Sequence, residues 1–221
     1  MSTVATERSS ATDGLNASVL DPRPAPTHLD ADSNGMRMTV DEFQAVESWD
    51  RTYRFELIRG AVVVSPAVTM GGRFPRRSLI NLLYDYSKTA AGLQTRVIVL
   101  DEHDLVTSAG VRRADLVVWC GRDVSPELKD AVPTIAIEIV SRGRRDRHRD
   151  FVEKRAEYFA IGVKEYWIFD RFRRTLTACS TGEGDAGRKV VREQENYETP
   201  LLPGFALSVG ELLAECDAVG D

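Results

Sequence analysis

The chain has 221 residues, a hydrophobic fraction of 43%, a charged fraction of 29% and a formal net charge of −5 at pH 7, values that are ordinary for a globular protein. The acidic balance argues against a broad basic face that binds nucleic acid non-specifically, although it leaves room for a local basic groove. The sequence has neither an apolar run of about 18 residues nor a basic segment followed by an apolar one at its start, so we expect no membrane-spanning helix and no signal peptide.

The cysteines Cys120, Cys179 and Cys216 are few, widely spaced and odd in number. They therefore predict neither a disulfide framework nor a structural zinc site, and they fit a reducing, cytoplasmic setting. Residues 1–36 are rich in Ser, Thr, Ala, Asp and Pro and have no periodic apolar pattern, which predicts a disordered N-terminal tail. Residues 37–221 are then expected to form one folded domain.

The predicted elements begin with a short helix over residues 40–48, because Thr39 and Glu42 have the spacing of a capping box. A tight β-hairpin over residues 54–64, turning at Arg59–Gly60, should follow. The remaining predictions, in chain order, are a helix at 75–91, strands at 93–100, 103–107, 112–119 and 134–140, a helix at 146–161, a strand at 165–170, a hairpin at 174–180 and 189–197, and a last helix at 209–216.

Two of these strands each carry one acid within an otherwise apolar run. Side chains alternate along a strand, so Glu138 shares a face with Ala136 and Val140, while Asp115 shares a face with Val117 and Trp119. A carboxylate buried in such a run is costly unless a cation or a donor accompanies it. If the two strands are neighbours, both carboxylates can point to the same side.

Such a pair of carboxylates would suit Mg²⁺ or Mn²⁺, which prefer hard oxygen ligands and are held by one or two carboxylates plus substrate phosphate. Lys154, on the helix that follows, could orient a water molecule or neutralise charge that develops on phosphorus oxygens. Arg144, Arg145 and Arg147 precede that helix and could contact a phosphate backbone, or they could belong to a solvated turn.

Each residue also has a plain structural interpretation. Asp115 could pair with a neighbouring arginine, either Arg112 or Arg113, and Glu138 could form a structural ion pair. Lys154 could be a solvated helix lysine paired with Asp150, four residues before it.

Five segments carry a resemblance to a known family: MTVDEF (38–43), RFELIRGAVVVSP (54–66), RRADLVVW (112–119), IAIEIVS (135–141) and RDFVEKRAEYFAIGVKEYWIFD (149–170). Together they resemble the Uma-two family, a restriction-endonuclease-like branch of the PD-(D/E)XK nuclease superfamily. The resemblance spans about residues 38–215, and its last segment is the most specific.

This resemblance implies an α/β fold with a restriction-endonuclease-like core, αβββαβ around a mixed sheet, extended by an N-terminal and a C-terminal hairpin. It implies a Mg²⁺-dependent (or Mn²⁺-dependent) endonuclease that hydrolyses phosphodiester bonds in nucleic acid, with DNA as the expected substrate. Asp115 and Glu138 would bind the metal, Lys154 would assist the attacking water, and Glu56 is a further acidic candidate. Homodimers occur among relatives of this fold, so a homodimer is a possible state by analogy.

The chain also departs from the family pattern. Ala114 stands in place of the usual proline, and Val140 occupies the position of the usual lysine, whose part would pass to Lys154. The segment after the acidic strand is altered, and a histidine often present in the family is missing from residues 73–77. These departures leave an alternative open: a weak or inactive nuclease-fold module that binds nucleic acid or a protein partner. A further hypothesis is that the protein hydrolyses a small phosphorylated substrate, but the sequence has no phosphate-binding loop to support it.

Overall fold

A computed structural model describes residues 26–67, 70–121, 131–140, 148–181 and 187–219. The strands are β1 (His28–Leu29), β2 (Ser48–Trp49), β3 (Tyr53–Ile58), β4 (Ala61–Pro66), β5 (Ile98–Thr107), β6 (Gly110–Trp119), β7 (Ile135–Ile139), β8 (Glu165–Asp170), β9 (Thr175–Ser180), β10 (Arg188–Arg192), β11 (Asn196–Glu198) and β12 (Ala206–Ser208). The helices are α1 (Val40–Gln44), α2 (Met70–Ser87), α3 (Ala90–Thr95), α4 (Lys154–Ile161, which continues from the π-helical segment Arg149–Glu153) and α5 (Val209–Val219).

A mixed eight-stranded sheet organises these elements, in the order β10-β9-β8-β7-β6-β3-β4, with β5 also paired to β6. The pairing is antiparallel except between β7 and β8, which are parallel and are linked by the crossover through α4. Parallel neighbours require such a crossover, and a helix supplies it here. The mixed α/β class predicted from the sequence is confirmed.

The two faces of the sheet are covered by different helices. Ile135, Ile137 and Ile139 of β7 pack in a cluster with residues of α2 and α5. Ala136 and Val140 pack on the other face, in a cluster that includes Tyr158 of α4. The predicted alternation of side chains along β7 is therefore confirmed, and it leaves Glu138 on the α4 face.

Local signals near the N-terminus of the domain act as predicted. Glu42 Oε2 accepts a hydrogen bond from the Thr39 amide at 2.6 Å, and Thr39 Oγ1 accepts one from the Glu42 amide at 3.2 Å. The hairpin turns at Arg59 and Gly60, which have φ values of 52° and 72°. Two successive positive φ values suit the right-handed twist of the flanking strands.

The predicted tail is partly ordered. Residues 1–25 lie outside the described residues, but His28–Leu29 pairs with Ser48–Trp49 as β1 and β2. Leu29 is buried in a cluster with Phe43 and Phe55. Hydrogen bonds to β4 also hold this segment, from the Gly35 amide to the Val62 carbonyl and from the Val64 amide to Asn34 Oδ1. Its polar composition concealed this order, because these contacts are made mainly by backbone groups. The pairing of β1 with β2 explains why α1 ends at Gln44 rather than at residue 48.

The predicted helix over residues 75–91 is instead two helices. The first begins at Met70, so Gly71 and Gly72 are helical, and the second contains Gly92. A Cβ at Gly92 would lie 2.0 Å from the Tyr86 carbonyl oxygen, so only glycine allows this close approach. Within the residues that the structure describes, no helix is both long enough and apolar enough to cross a bilayer.

Candidate active site

The candidate site occupies a fork in the sheet beside β6. Along one edge β6 pairs with β5 over its whole length. Along the other edge it pairs first with β3, at Val111 and Leu57, and then with β7, starting at Leu116 and Ile137. Between these two points β3 and β7 diverge, and the described residues form no backbone ladder there.

Charged side chains fill this fork and satisfy its backbone groups. The Arg113 amide donates to Glu56 Oε1 at 3.0 Å, and its carbonyl accepts from Lys154 Nζ at 3.2 Å and also from Arg54 Nη2. The Ile139 amide donates to Asp115 Oδ2 at 2.7 Å. Buried backbone groups need partners, and in the fork charged side chains supply them in place of a neighbouring strand.

Lys154 lies at the centre of this cluster. Its Nζ is 2.8 Å from Glu138 Oε1, 3.3 Å from Glu56 Oε1 and 3.9 Å from Asp150 Oδ1. The lysine is only 1% exposed, so it is not the solvated helix residue of the structural interpretation. The π-helical segment Arg149–Glu153 leads directly into Lys154, and such segments are frequent at functional sites.

Asp115 faces the same fork from β6. Leu116 pairs with Ile137 across the antiparallel strands, so the next position toward the fork brings Asp115 opposite Glu138. Among the residues that the structure describes, the cation that contacts Asp115 is Arg54, whose Nη1 lies 2.6 Å from Oδ1. Neither neighbouring arginine fills this role.

Those neighbouring arginines have other partners. Arg112 donates to Glu157 and to Glu153, and Arg113 forms a two-point contact with Asp104. The interpretation that paired either of them with Asp115 is therefore wrong, because Arg112 reaches Glu157 of α4 and Arg113 reaches Asp104 of β5.

Arg54, Arg149 and Asp150 also belong to this cluster, and from the sequence Asp150 was expected only as a helix partner of Lys154. Arg149 Nη1 is 3.6 Å from Glu56 Oε2, so Arg149 is a third cation of the cluster, beside Lys154 and Arg54. Two of them had a signal in the sequence, because Arg54 lies two residues before Glu56 on the same strand and Asp150 lies four residues before Lys154. Tyr158 of α4 is fully buried beside the cluster, and its hydroxyl donates to Glu138 Oε1 at 3.1 Å.

The cluster pushes the pKa values of its acids apart. Burial raises the pKa of Glu138 to about 8, with the Asp115 and Asp150 carboxylates adding to the rise and Lys154 opposing it. Burial also raises the pKa of Asp150 to about 6. For Glu56 the effect of burial is outweighed by Lys154, Arg149 and Arg54, which lower its pKa to about 2.

The same balance acts on the remaining groups. Burial opposes ionisation of Asp115, but Arg54 and Lys154 lower its pKa below the usual value. Burial opposes the charge on Lys154 too, yet Glu138, Glu56 and Asp150 raise its pKa. The lysine is therefore a cation at neutral pH, and Glu138 is the acid that holds a proton most readily.

The donor chemistry of the cluster suits a hard divalent cation. Its four carboxylates face Arg54, Arg149 and Lys154, and Asp150 Oδ1 accepts no hydrogen bond from the described residues. No group of three or more His, Cys, Asp and Glu side chains within the described ranges is gathered as a ready-made metal site. Magnesium, however, is usually held by one or two carboxylates with water and substrate phosphate, a need that Asp115 and Glu138 can meet.

The fork thus brings together Glu56, Asp115, Glu138 and Lys154, all singled out from the sequence. Arg144, Arg145 and Arg147 lie outside the described residues, so their predicted contact with nucleic acid stays a prediction. Acids from adjacent strands, with a lysine from the crossover helix, are set on a nuclease-like α/β fold.

That fold is shared with a solved protein. The structure is similar to the crystal structure of a "putative nuclease belonging to DUF820" from Anabaena variabilis, with a TM-score of 0.63 and 15% sequence identity over 81% of this chain and 99% of that one. At this identity the likeness shows the fold alone.

A family model described as "Putative restriction endonuclease", Uma2, matches residues 40–210. The chain therefore belongs to the Uma2 (Uma-two) family, as its motifs indicated. No protein among the curated ones matches it.

Proposed function

We propose that this protein is a metal-dependent endonuclease that hydrolyses phosphodiester bonds, with DNA as its substrate. The observation that carries the proposal is the convergence of Lys154 Nζ on Glu138 at 2.8 Å, with Asp115 on the adjacent strand. Membership of the Uma2 family supports the same reaction class.

Asp115 and Glu138 are the residues that would hold Mg²⁺ or Mn²⁺, since their carboxylates face the same fork. A divalent cation there would stabilise the negative charge that builds on phosphate oxygens and would lower the pKa of a water molecule. Because Glu138 holds a proton up to a pKa of about 8, it has to release that proton before it can act as a ligand.

Lys154 would orient the attacking water and offset charge on the phosphate. Glu56 and Glu138 keep the ammonium group in place, and the Tyr158 hydroxyl fixes Glu138 in turn. Preorganised charges of this kind act most strongly in buried sites, where water does not screen them.

The direct test is plasmid cleavage by purified protein with Mg²⁺, compared with Asp115→Asn and Lys154→Met. We expect nicking or linearisation by the wild type and a loss of at least about 100-fold in each variant, as for removal of a key electrostatic group. Lys164→Met, at an exposed position one residue before β8, is the matched control and should cut normally. Cleavage that persists in both site variants would remove this mechanism.

One observation favours a second candidate, a nuclease-fold module that binds nucleic acid without cutting it. Both oxygens of Asp115 already accept hydrogen bonds, from Arg54 and from the Ile139 amide. Salt-sensitive binding without metal-dependent cleavage, in a protein whose Asp115→Asn variant binds equally well, would support this candidate.

A further inference from the structure

Three neighbouring cavities lie beside the fork and share lining residues. The first, of about 580 Å³, and the second, of about 320 Å³, share Arg51, Ala67 and Glu102. The second and the third, of about 440 Å³, share Trp49, Glu102 and Arg113. We call the three together the groove, and its parts the basic arm, the centre and the apolar arm.

The basic arm is positively charged. Its described lining residues include four arginines and two carboxylates: Arg51, Arg73, Arg76, Arg77, Asp101 and Glu102. Arg76 Nη1 lies 2.5 Å from Glu102 Oε1, so one of the carboxylates is already neutralised. An excess of guanidinium groups along a groove attracts a phosphate backbone, even on a protein whose net charge is negative.

The centre connects this arm to the candidate active site. Arg54 lines the centre, and its Nη1 also lies 2.6 Å from Asp115. A phosphate held in the centre would therefore lie one side chain away from the fork.

The apolar arm has the character of a base pocket. Leu29, Phe43 and Phe55 line it together with polar groups such as Gln44 and Asp104. Trp49 stands between the centre and this arm and is 43% exposed, an unusual exposure for the largest apolar side chain. The Arg113 guanidinium carbon lies 5.6 Å from the centroid of its ring.

We propose that the groove binds a nucleic-acid strand, with phosphates along the basic arm through Arg51 and Arg77 and an unpaired base stacked on Trp49. The proposal rests on the proposed function for its substrate class and adds the surface and the unpaired nucleotide. Exposed aromatic rings beside basic grooves bind single strands in this way, because every base offers a face for stacking.

The test is binding of a fluorescently labelled single-stranded DNA oligonucleotide, and of the same sequence as a blunt duplex, by anisotropy in EDTA across a salt series. For Arg51→Ala/Arg77→Ala we expect about tenfold weaker binding and a salt slope that falls by about 1.4, since each phosphate contact on a single strand contributes about 0.7. The matched control is Lys164→Ala/Arg192→Ala, which removes the same charge from exposed residues outside the groove and should bind as the wild type does.

Trp49 is tested by a conservative pair. Trp49→Ala should weaken single-strand binding about tenfold, Trp49→Phe should retain most of it, and neither should alter duplex binding much, because bases in a duplex are already stacked. Binding should also quench tryptophan fluorescence in the wild type but not in Trp49→Phe, since Trp119 and Trp167 are buried. Thermal melting of every variant checks that its fold is kept.

The outcomes separate the two proposals. If the wild type and its variants bind as expected but the protein never cuts plasmid, the groove proposal is supported and the proposed hydrolysis is contradicted. If the protein cuts plasmid with metal but the groove variants bind like the control, the groove proposal is contradicted and the proposed hydrolysis stands. Failure of the wild type to bind either oligonucleotide at the lowest salt also overturns it.

Discussion

Replacing Lys154 by Met tests the buried charge cluster itself. The lysine is 1% exposed and contacts two carboxylates and the Arg113 carbonyl within 3.3 Å. Methionine has a similar length but no charge, so the substitution leaves the ionised Glu56 buried without this cation and removes a hydrogen-bond donor from Glu138. Removing one partner of a buried ion pair typically costs about 3–5 kcal/mol, a large share of the stability of a domain.

The assay is urea unfolding followed by circular dichroism at pH 7, with Lys164→Met as the control at an exposed lysine. We expect Lys154→Met to lower the unfolding free energy by about 3–5 kcal/mol and the control to change it by less than about 0.5 kcal/mol. Glu56→Gln in the same background should recover part of the loss, with a coupling energy of about 1–3 kcal/mol, because it removes the buried charge that Lys154 neutralised. A loss below about 1 kcal/mol, or a coupling energy near zero, would refute the reasoning, since removing the cation beside a buried, ionised Glu56 should destabilise the domain by more than that.

Three further predictions concern protons, metal and backbone packing. The pKa of Glu138 is raised from 4.5 to about 8, so near neutral pH the folded state holds a proton that the unfolded state releases. The melting temperature should therefore fall as pH rises from about 6 to 8 in EDTA. Glu138→Gln should flatten this dependence, and an equally steep profile in the variant would contradict the prediction. Saturating Mg²⁺ or Mn²⁺, at 100 times its dissociation constant, should stabilise the wild type by about 2.7 kcal/mol in calorimetry, and a similar gain in Asp115→Asn would place the metal elsewhere. Gly92→Ala should destabilise the domain by at least about 1–3 kcal/mol in urea unfolding, because the new Cβ would lie 2.0 Å from the Tyr86 oxygen, whereas an unchanged midpoint would mean that α3 can shift.

Much of the site could be predicted from short-range patterns. Alternation along β7 placed Glu138 on the face that α4 covers, because a side chain in a strand has only two sides to choose from. Along β6 the alternation breaks at Asp115, since Ala114 and Val117, three positions apart, pack in the same cluster. Helical spacing likewise aligned Asp150, Lys154 and Tyr158 along one side of the same helix. The capping box at Thr39 and the turn at Arg59–Gly60 are local as well, and both form as expected.

Other features depend on contacts between distant parts of the chain. Arg54 and Asp115 are separated by 61 positions, and nothing near either residue indicates that they pair. The order of Leu29 depends on a partner strand about 20 residues later, which the polar composition around it conceals.

By itself, the sequence determined which side of β7 carries Glu138 and which side of α4 carries Lys154, because that depends only on backbone periodicity. Only the tertiary structure decided that β3 and β7 share one edge of β6 and leave a fork between them. Strand order is set by the burial of whole faces across the domain, so the fork, and with it the partner of each charge, arises only when the complete sheet is assembled.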